Sequence, residues 1–288
     1  MTEHLKEGDL FNIVAASSPI ENKEDLYAGI QVLQDWGLVC NDFGELDRSW
    51  GYLAGSDEVR FNELHPRNHV PLMAFARGGW GSARLLEKRQ PWQKGWMIGF
   101  SDLTSLLLSR LTSGFHGGIH GPLITTLGKE PDWSKDRLKS ILFGTSVPDI
   151  HGDPWGGGIS RGHLIVGNLT ILTHLIGTKH LPNFNKSILI IEDIGEAPYR
   201  IDRMLTHLRL SGILQQLSGL GFGSFTGCDN DIDKKMTFEL HDIFRDRTQD
   251  LKIPIVSNLP IGHCLGNASL PLGSQAILNG DNGRLILS

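Results

Sequence analysis

The chain has 288 residues, room for one large domain or two of ordinary size, and its 40% hydrophobic and 20% charged content suits a full core rather than disorder. A net charge of -5, with no Lys/Arg run longer than two, argues against nucleic acid, which a basic stripe normally holds. No stretch approaches the roughly 20 apolar residues of a membrane span, and the first residues lack the apolar core of a signal peptide. The odd count of three cysteines (Cys40, Cys228, Cys264) fits reduced thiols. A cytoplasmic enzyme or binding protein is expected.

In chain order, residues 11–15 form a short apolar run that ends in the turn Ala16-Ser17-Ser18-Pro19. Residues 21–36 place Leu26, Ile30, Leu33 and Trp36 at helical spacing, and Gly37 follows as a stop. Residues 38–40 read as a weak strand, and Ser56 opens a helix through Leu64. Residues 70–76 and 96–100 read as buried strands, each closed by a glycine-bearing loop and a helix. Strands alternating with helices imply parallel βαβ units, because a parallel crossover needs a helix-length connection. The pattern loosens between residues 139 and 160. The domains are therefore expected at 1–148 and 161–288, with 149–160 as linker.

The second half begins with a strand at 163–166, a helix at 168–177 and a strongly apolar strand at 187–192. A long amphipathic helix follows from Pro198, with Ile201, Leu205, Leu208 and Ile213 on or near one face. From Leu270 the pattern suggests an antiparallel hairpin, with its turn at 279–283. Trp36 and Phe43 read as core residues.

Four segments could carry chemistry. Ile98-Gly99-Phe100-Ser101-Asp102 runs from an apolar strand into a helix, so Ser101 would point out of the sheet's carboxyl edge beside unpaired helix amides. An ordinary N-cap explains the same serine, and Leu103 breaks the Gly-x-Ser-x-Gly of the hydrolase elbow. Arg77-Gly78-Gly79-Trp80-Gly81 follows another strand. It lacks the spacing of a P-loop or dinucleotide site, which leaves an oxyanion or carboxylate cradle or a bare tight turn. Glu192 closes an apolar strand, while Glu196 before Pro198 could be a helix N-terminal acid. His263, flanked by Gly262 and Gly266, could be a general base or a surface-loop histidine. Cys264 is a rival nucleophile, but adjacent side chains rarely meet. His116 and His120 lack a nearby carboxylate and the His-Glu-x-x-His pattern of a metal site.

Taken together and in order, these segments resemble the LD-carboxypeptidase family, which includes muramoyltetrapeptide carboxypeptidase and, more distantly, the microcin C self-immunity peptidases. The resemblance runs through Ala16-Ser17-Ser18-Pro19, Gly51-Tyr52-Leu53-Ala54-Gly55-Ser56-Asp57-Glu58, Ala76-Arg77-Gly78-Gly79-Trp80-Gly81 and Gly99-Phe100-Ser101-Asp102. It continues with His120-Gly121-Pro122, Gly167-Asn168-Leu169, Glu192 to Arg200, Gly262-His263 and Leu270-Pro271-Leu272-Gly273. Trp80 stands where the family more often has Tyr, and Val166 where a Gly is common.

The resemblance implies an α/β fold: a flavodoxin-like N-terminal domain with a parallel sheet, a smaller C-terminal β/α domain, and an active site in the cleft between them. It implies a catalytic Ser101, His263 as its base, Glu192 orienting the imidazole, and the amides of Gly79 and Asp102 as the oxyanion hole. Arg77 and Arg203 become candidates for the substrate's terminal carboxylate. The implied enzyme is a cytoplasmic, homodimeric serine carboxypeptidase of peptidoglycan recycling. It would release D-alanine from a murein tetrapeptide, with no cofactor, metal, nucleic acid or membrane partner. A microcin-type peptidase cleaving a peptidyl or aminoacyl nucleotide and an inactive muropeptide-binding protein are the alternatives.

Overall fold

The computed structural model describes residues 2–42, 47–229 and 237–288. Phe43 lies outside them, and Trp36 is half-buried. The chain divides into two compact units, Met1–Val147 with Leu265–Leu272, and Pro148–Cys264 with Gly273–Ser288.

In the first unit, β1 (Leu10–Val14), β2 (Val39–Asp42), β3 (Leu72–Phe75), β4 (Trp96–Gly99) and β5 (Gly118–His120) lie in the order β5-β4-β3-β1-β2, all neighbours parallel. The flavodoxin-type order 2-1-3-4-5 has its switch point between β1 and β3, so the loops that leave them diverge and open a crevice at the carboxyl edge. The helix α1 (Lys23–Asp35) is capped by Asn22, whose side chain accepts from the Glu24 and Asp25 amides, and it buries Leu26, Ile30 and Leu33. Each such side chain contributes roughly 1.5–3 kcal/mol. The helices α2 (Asp57–Leu64), α3 (Thr104–Thr112), α4 (Ile124–Leu127) and α5 (Asp132–Phe143) complete the layers.

The segment 265–272 belongs to this unit although the rest of the second half does not. Its strand Leu270–Pro271 pairs antiparallel with β5. Glu130 accepts the Gly266 and Asn267 amides at 2.8 and 3.0 Å, and Arg137 Nε donates to the Ser269 carbonyl at 2.9 Å. The expected hairpin therefore does not begin at Leu270.

The second unit is an eight-stranded sheet. Its strands are β6 (Ile150–His151), β7 (Asp153–Pro154), β8 (Ile159–Asn168), β9 (Ser187–Ile194), β10 (Gly219–Thr226) and β11 (Ile255–Ser257), followed by β13 (Gln275–Asn279) and β14 (Arg284–Leu287), Leu270–Pro271 being β12. Strands β8 to β11 run parallel, and β13 and β14 form the antiparallel hairpin beside β8. Residues 149–160 are not bare linker here, because β6 pairs with β14 and β7 with β11. The helices are α6 (Leu169–His174), α7 (Pro198–Leu210) and α8 (Leu240–Thr248). Pro198 opens α7, whose buried stripe includes Ile201, Leu205 and Leu208.

Candidate active site

Ser101 follows β4 with φ of +62°, one of three non-glycine residues in the left-handed region among those described. A side chain there costs about 1–2 kcal/mol, an expense met mostly at functional positions. Ser101 opens a single 3-10 turn, Ser101–Leu103, and α3 starts only at Thr104. The cap positions are Phe100 and Leu103, with no side-chain cap bond, so the N-cap explanation of this serine does not hold.

The loop after β3 lies against this serine. A Cβ placed on Gly78 would be 3.1 Å from Ser101 Cβ and 3.2 Å from its Oγ. The loop after β1 supports it from the other side: the Ser18 amide donates to the Gly78 carbonyl at 3.2 Å, and Ser18 Oγ accepts the Trp80 amide at 3.2 Å. Gly79 has φ of +106°, and a Cβ there would sit 2.3 Å from Ser18 Oγ. Only glycine fits. The amides of Gly79 and Asp102 are not taken up by the backbone hydrogen bonds of turns and loops among the described residues.

The Asp102 carboxylate is buried, and its Oδ2 accepts Ser17 Oγ at 2.6 Å and the Ser82 amide at 2.8 Å. Burial pushes this carboxyl above its ordinary range, although those donors pull the other way. Sequence reasoning singled out Asp102 for its amide and missed the side chain, which ties three loops together.

In the second unit, Glu192 is fully buried within β9, two residues before the strand ends rather than closing it. Its Oε2 lies 2.7 Å from His263 Nδ1. The His263 loop is held by β10: Thr226 Oγ1 donates to the His263 carbonyl at 2.6 Å, and the Ser224 amide donates to the Ile261 carbonyl at 2.8 Å. The His263 side chain remains 17% exposed, so the ring is fixed at one nitrogen and reachable. A carboxylate on Nδ1 sets the tautomer that leaves Nε2 able to accept a proton.

Asp193, which sequence reasoning passed over, anchors the neighbouring strand. It accepts the Asn168 side-chain amide, the Thr170 amide and hydroxyl, and the Ile194 amide, all at 2.8–2.9 Å. Arg77 pairs with Glu21 at 2.6 Å and donates to the Pro19 carbonyl at 3.0 Å. Arg203 is exposed, 5.7 Å over the Tyr199 ring. Glu196 pairs with Arg200 at 3.3 Å, a structural role at the start of α7. Burial pushes the Cys228 thiol up to about 11, which removes it as a nucleophile at neutral pH. Among the described residues no cluster of three His, Cys, Asp or Glu could hold a metal ion.

Both halves match known family patterns. Residues 12–121 match the LD-carboxypeptidase N-terminal domain, and residues 161–278 match the LD-carboxypeptidase C-terminal domain. This chain belongs to the LD-carboxypeptidase family. Its relatives include a Synechocystis sp. protein named as a carboxypeptidase, 41% identical over 98% of this chain and 95% of its own. Another is the murein tetrapeptide carboxypeptidase of Pseudomonas aeruginosa, 32% identical over 94% of each chain. The solved muramoyltetrapeptide carboxypeptidase from Oxalobacter formigenes superposes with a TM-score of 0.81 at 26% identity, over 96% of this chain and 97% of that one. The family also reaches the microcin C7 self-immunity protein MccF of Escherichia coli, 24% identical over 99% of this chain and 94% of that one. No helix among the described residues of this LD-carboxypeptidase-family chain is long and apolar enough to cross a membrane.

Proposed function

We propose that this protein is a serine carboxypeptidase that hydrolyses an L,D-peptide bond and releases the terminal D-alanine of a murein tetrapeptide. The observation that carries the reading is the Glu192–His263 contact of 2.7 Å, a fully buried carboxylate on one nitrogen of a reachable imidazole. In the first step Ser101 Oγ attacks the scissile carbonyl carbon while its proton passes to His263 Nε2. Glu192 stabilises the imidazolium that forms. The carbonyl oxygen becomes an oxyanion and takes the Gly79 and Asp102 amides. The C–N bond then breaks as His263 returns the proton to the leaving amine, and water cleaves the acyl-serine by the same steps.

The substrate's terminal carboxylate needs a cation or a cluster of N–H donors, and Arg77 and Arg203 are the two side chains proposed for it. By family resemblance the same reading makes the enzyme a cytoplasmic homodimer that serves murein recycling. Light scattering on eluting protein tests the dimer. Mass spectrometry of muropeptides incubated with the protein tests the activity: loss of one alanine from the tetrapeptide supports it. An intact tetrapeptide together with cleavage of an acyl-sulfamoyl adenylate would transfer the assignment to the microcin-type branch.

A further inference from the structure

The Arg60 side chain is completely buried in the first unit. Its Nη1 donates to two carbonyls, that of Ala16 after β1 and that of Gly81 after β3, the latter at 2.8 Å. Its Nε donates to the Gly55 carbonyl at 3.2 Å, and its Nη2 pairs with Asp57, which Arg84 holds from the other side at 2.7 Å. The residues next in sequence are bound by the opposite charge: Asp102 accepts Ser17 Oγ and the Ser82 amide. The two loops at the sheet's switch point are thus gripped twice. A cation takes the carbonyls of residues 16 and 81, and an anion takes donors of residues 17 and 82.

This clamp lies three residues beyond Gly78, which borders Ser101. Gly81 has φ of +117°, and a Cβ there would lie 2.3 Å from Leu53 Cδ2 and 3.1 Å from Arg60 Nη1, so the backbone sits directly on the guanidinium. We propose that Arg60 is a positioning residue for catalysis, holding the Gly78–Gly81 loop so that the Gly79 amide is set for the developing oxyanion before reaction begins. A donor fixed beforehand stabilises the transition state without rearrangement, whereas a mobile one must be ordered during the reaction. The planar fork of arginine can span the two carbonyls and Asp57 together, which the point charge of a lysine cannot. Burial lowers the Arg60 pKa from its ordinary value, with the Asp57 contact opposing the shift.

The inference rests on Ser101 as nucleophile and the Gly79 amide as oxyanion donor. The test compares R60K, D57N and S101A with wild type, each checked for folding by thermal melting. Turnover of murein tetrapeptide is measured together with binding of a peptide boronic acid, which forms a tetrahedral adduct on a reactive serine, and of the tripeptide product. R60K is expected to lower kcat by about 10- to 100-fold with KM within about threefold, and to weaken the boronate but not the product. D57N, which loosens Arg60 from a partly exposed position, is expected to shift the same two readouts in the same direction by about 2- to 10-fold. It decides the matter if R60K does not fold. Boronate affinity and kcat within twofold of wild type in the folded variants would overturn the inference, as would equal weakening of boronate and product. An S101A enzyme that kept full turnover would instead overturn the reading beneath it.

Discussion

Gly262 and Glu192 are in such close approach that a Cβ on the glycine would lie 2.4 Å from the Glu192 carboxylate oxygen Oε2. That is the oxygen facing His263 Nδ1, so the residue before the histidine is what lets the carboxylate reach the ring. Gly262 also has φ of +104°, where a larger residue would be strained even in open space. G262A is expected to lower kcat by at least about tenfold and stability by about 1 kcal/mol or more. Steady-state kinetics and urea unfolding check the two effects, and a wild-type kcat would show that the approach does not matter.

Glu192→Gln keeps the shape of the side chain but can present its amide nitrogen to His263 and favour the other tautomer. The expected loss in kcat is about 10³- to 10⁴-fold with little change in KM. A loss below tenfold would mean that Glu192 does not orient the base.

The left-handed backbone at Ser101 separates stability from activity. S101A and S101G both lack the hydroxyl, but only S101A retains a Cβ at φ of +62°. S101G is expected to be more stable than S101A by about 1 kcal/mol, despite the greater chain entropy of an unfolded glycine. Paired urea titrations check the order, and S101A being the more stable would remove the claim of strain.

Asp193 gives a pH dependence of defined sign. Burial raises its folded-state carboxyl above the ordinary 3.8, with Glu192 adding to the rise and the Thr170, Ile194 and Asn168 donors opposing it. The folded state therefore holds this proton more tightly than the unfolded chain. The resulting stabilisation is complete below 3.8 and is lost as pH rises through the folded value. Wild type should lose stability relative to D193N as the pH rises above 3.8 and through the raised folded-state value. A difference that is flat with pH would contradict the assignment.

The turn at Ser101 was legible because a Gly-x-Ser at the end of an apolar run is a local feature, and the parallel sheet was legible because strands and helices alternate within short windows. Arg60 was not. In sequence it is one charged position on a short helix, and its burial depends on carbonyls 44 and 21 residues away. The first-unit membership of 265–272 was hidden for a related reason. A two-residue strand has no periodicity, and what fixes it is Glu130, more than 130 residues upstream. Glu192 and His263 stood out locally beside an apolar strand and between glycines, and only the family resemblance gave them roles. Their mutual contact spans 71 residues and required the fold.

The most direct test of the account is D-alanine release from murein tetrapeptide by wild type and S101A, run beside labelling with a serine-directed fluorophosphonate. S101A is expected to lose about 10⁴- to 10⁶-fold in kcat while remaining folded, and the probe to modify wild type at Ser101 alone. Near-wild-type release by S101A, or labelling elsewhere with Ser101 untouched, would contradict it.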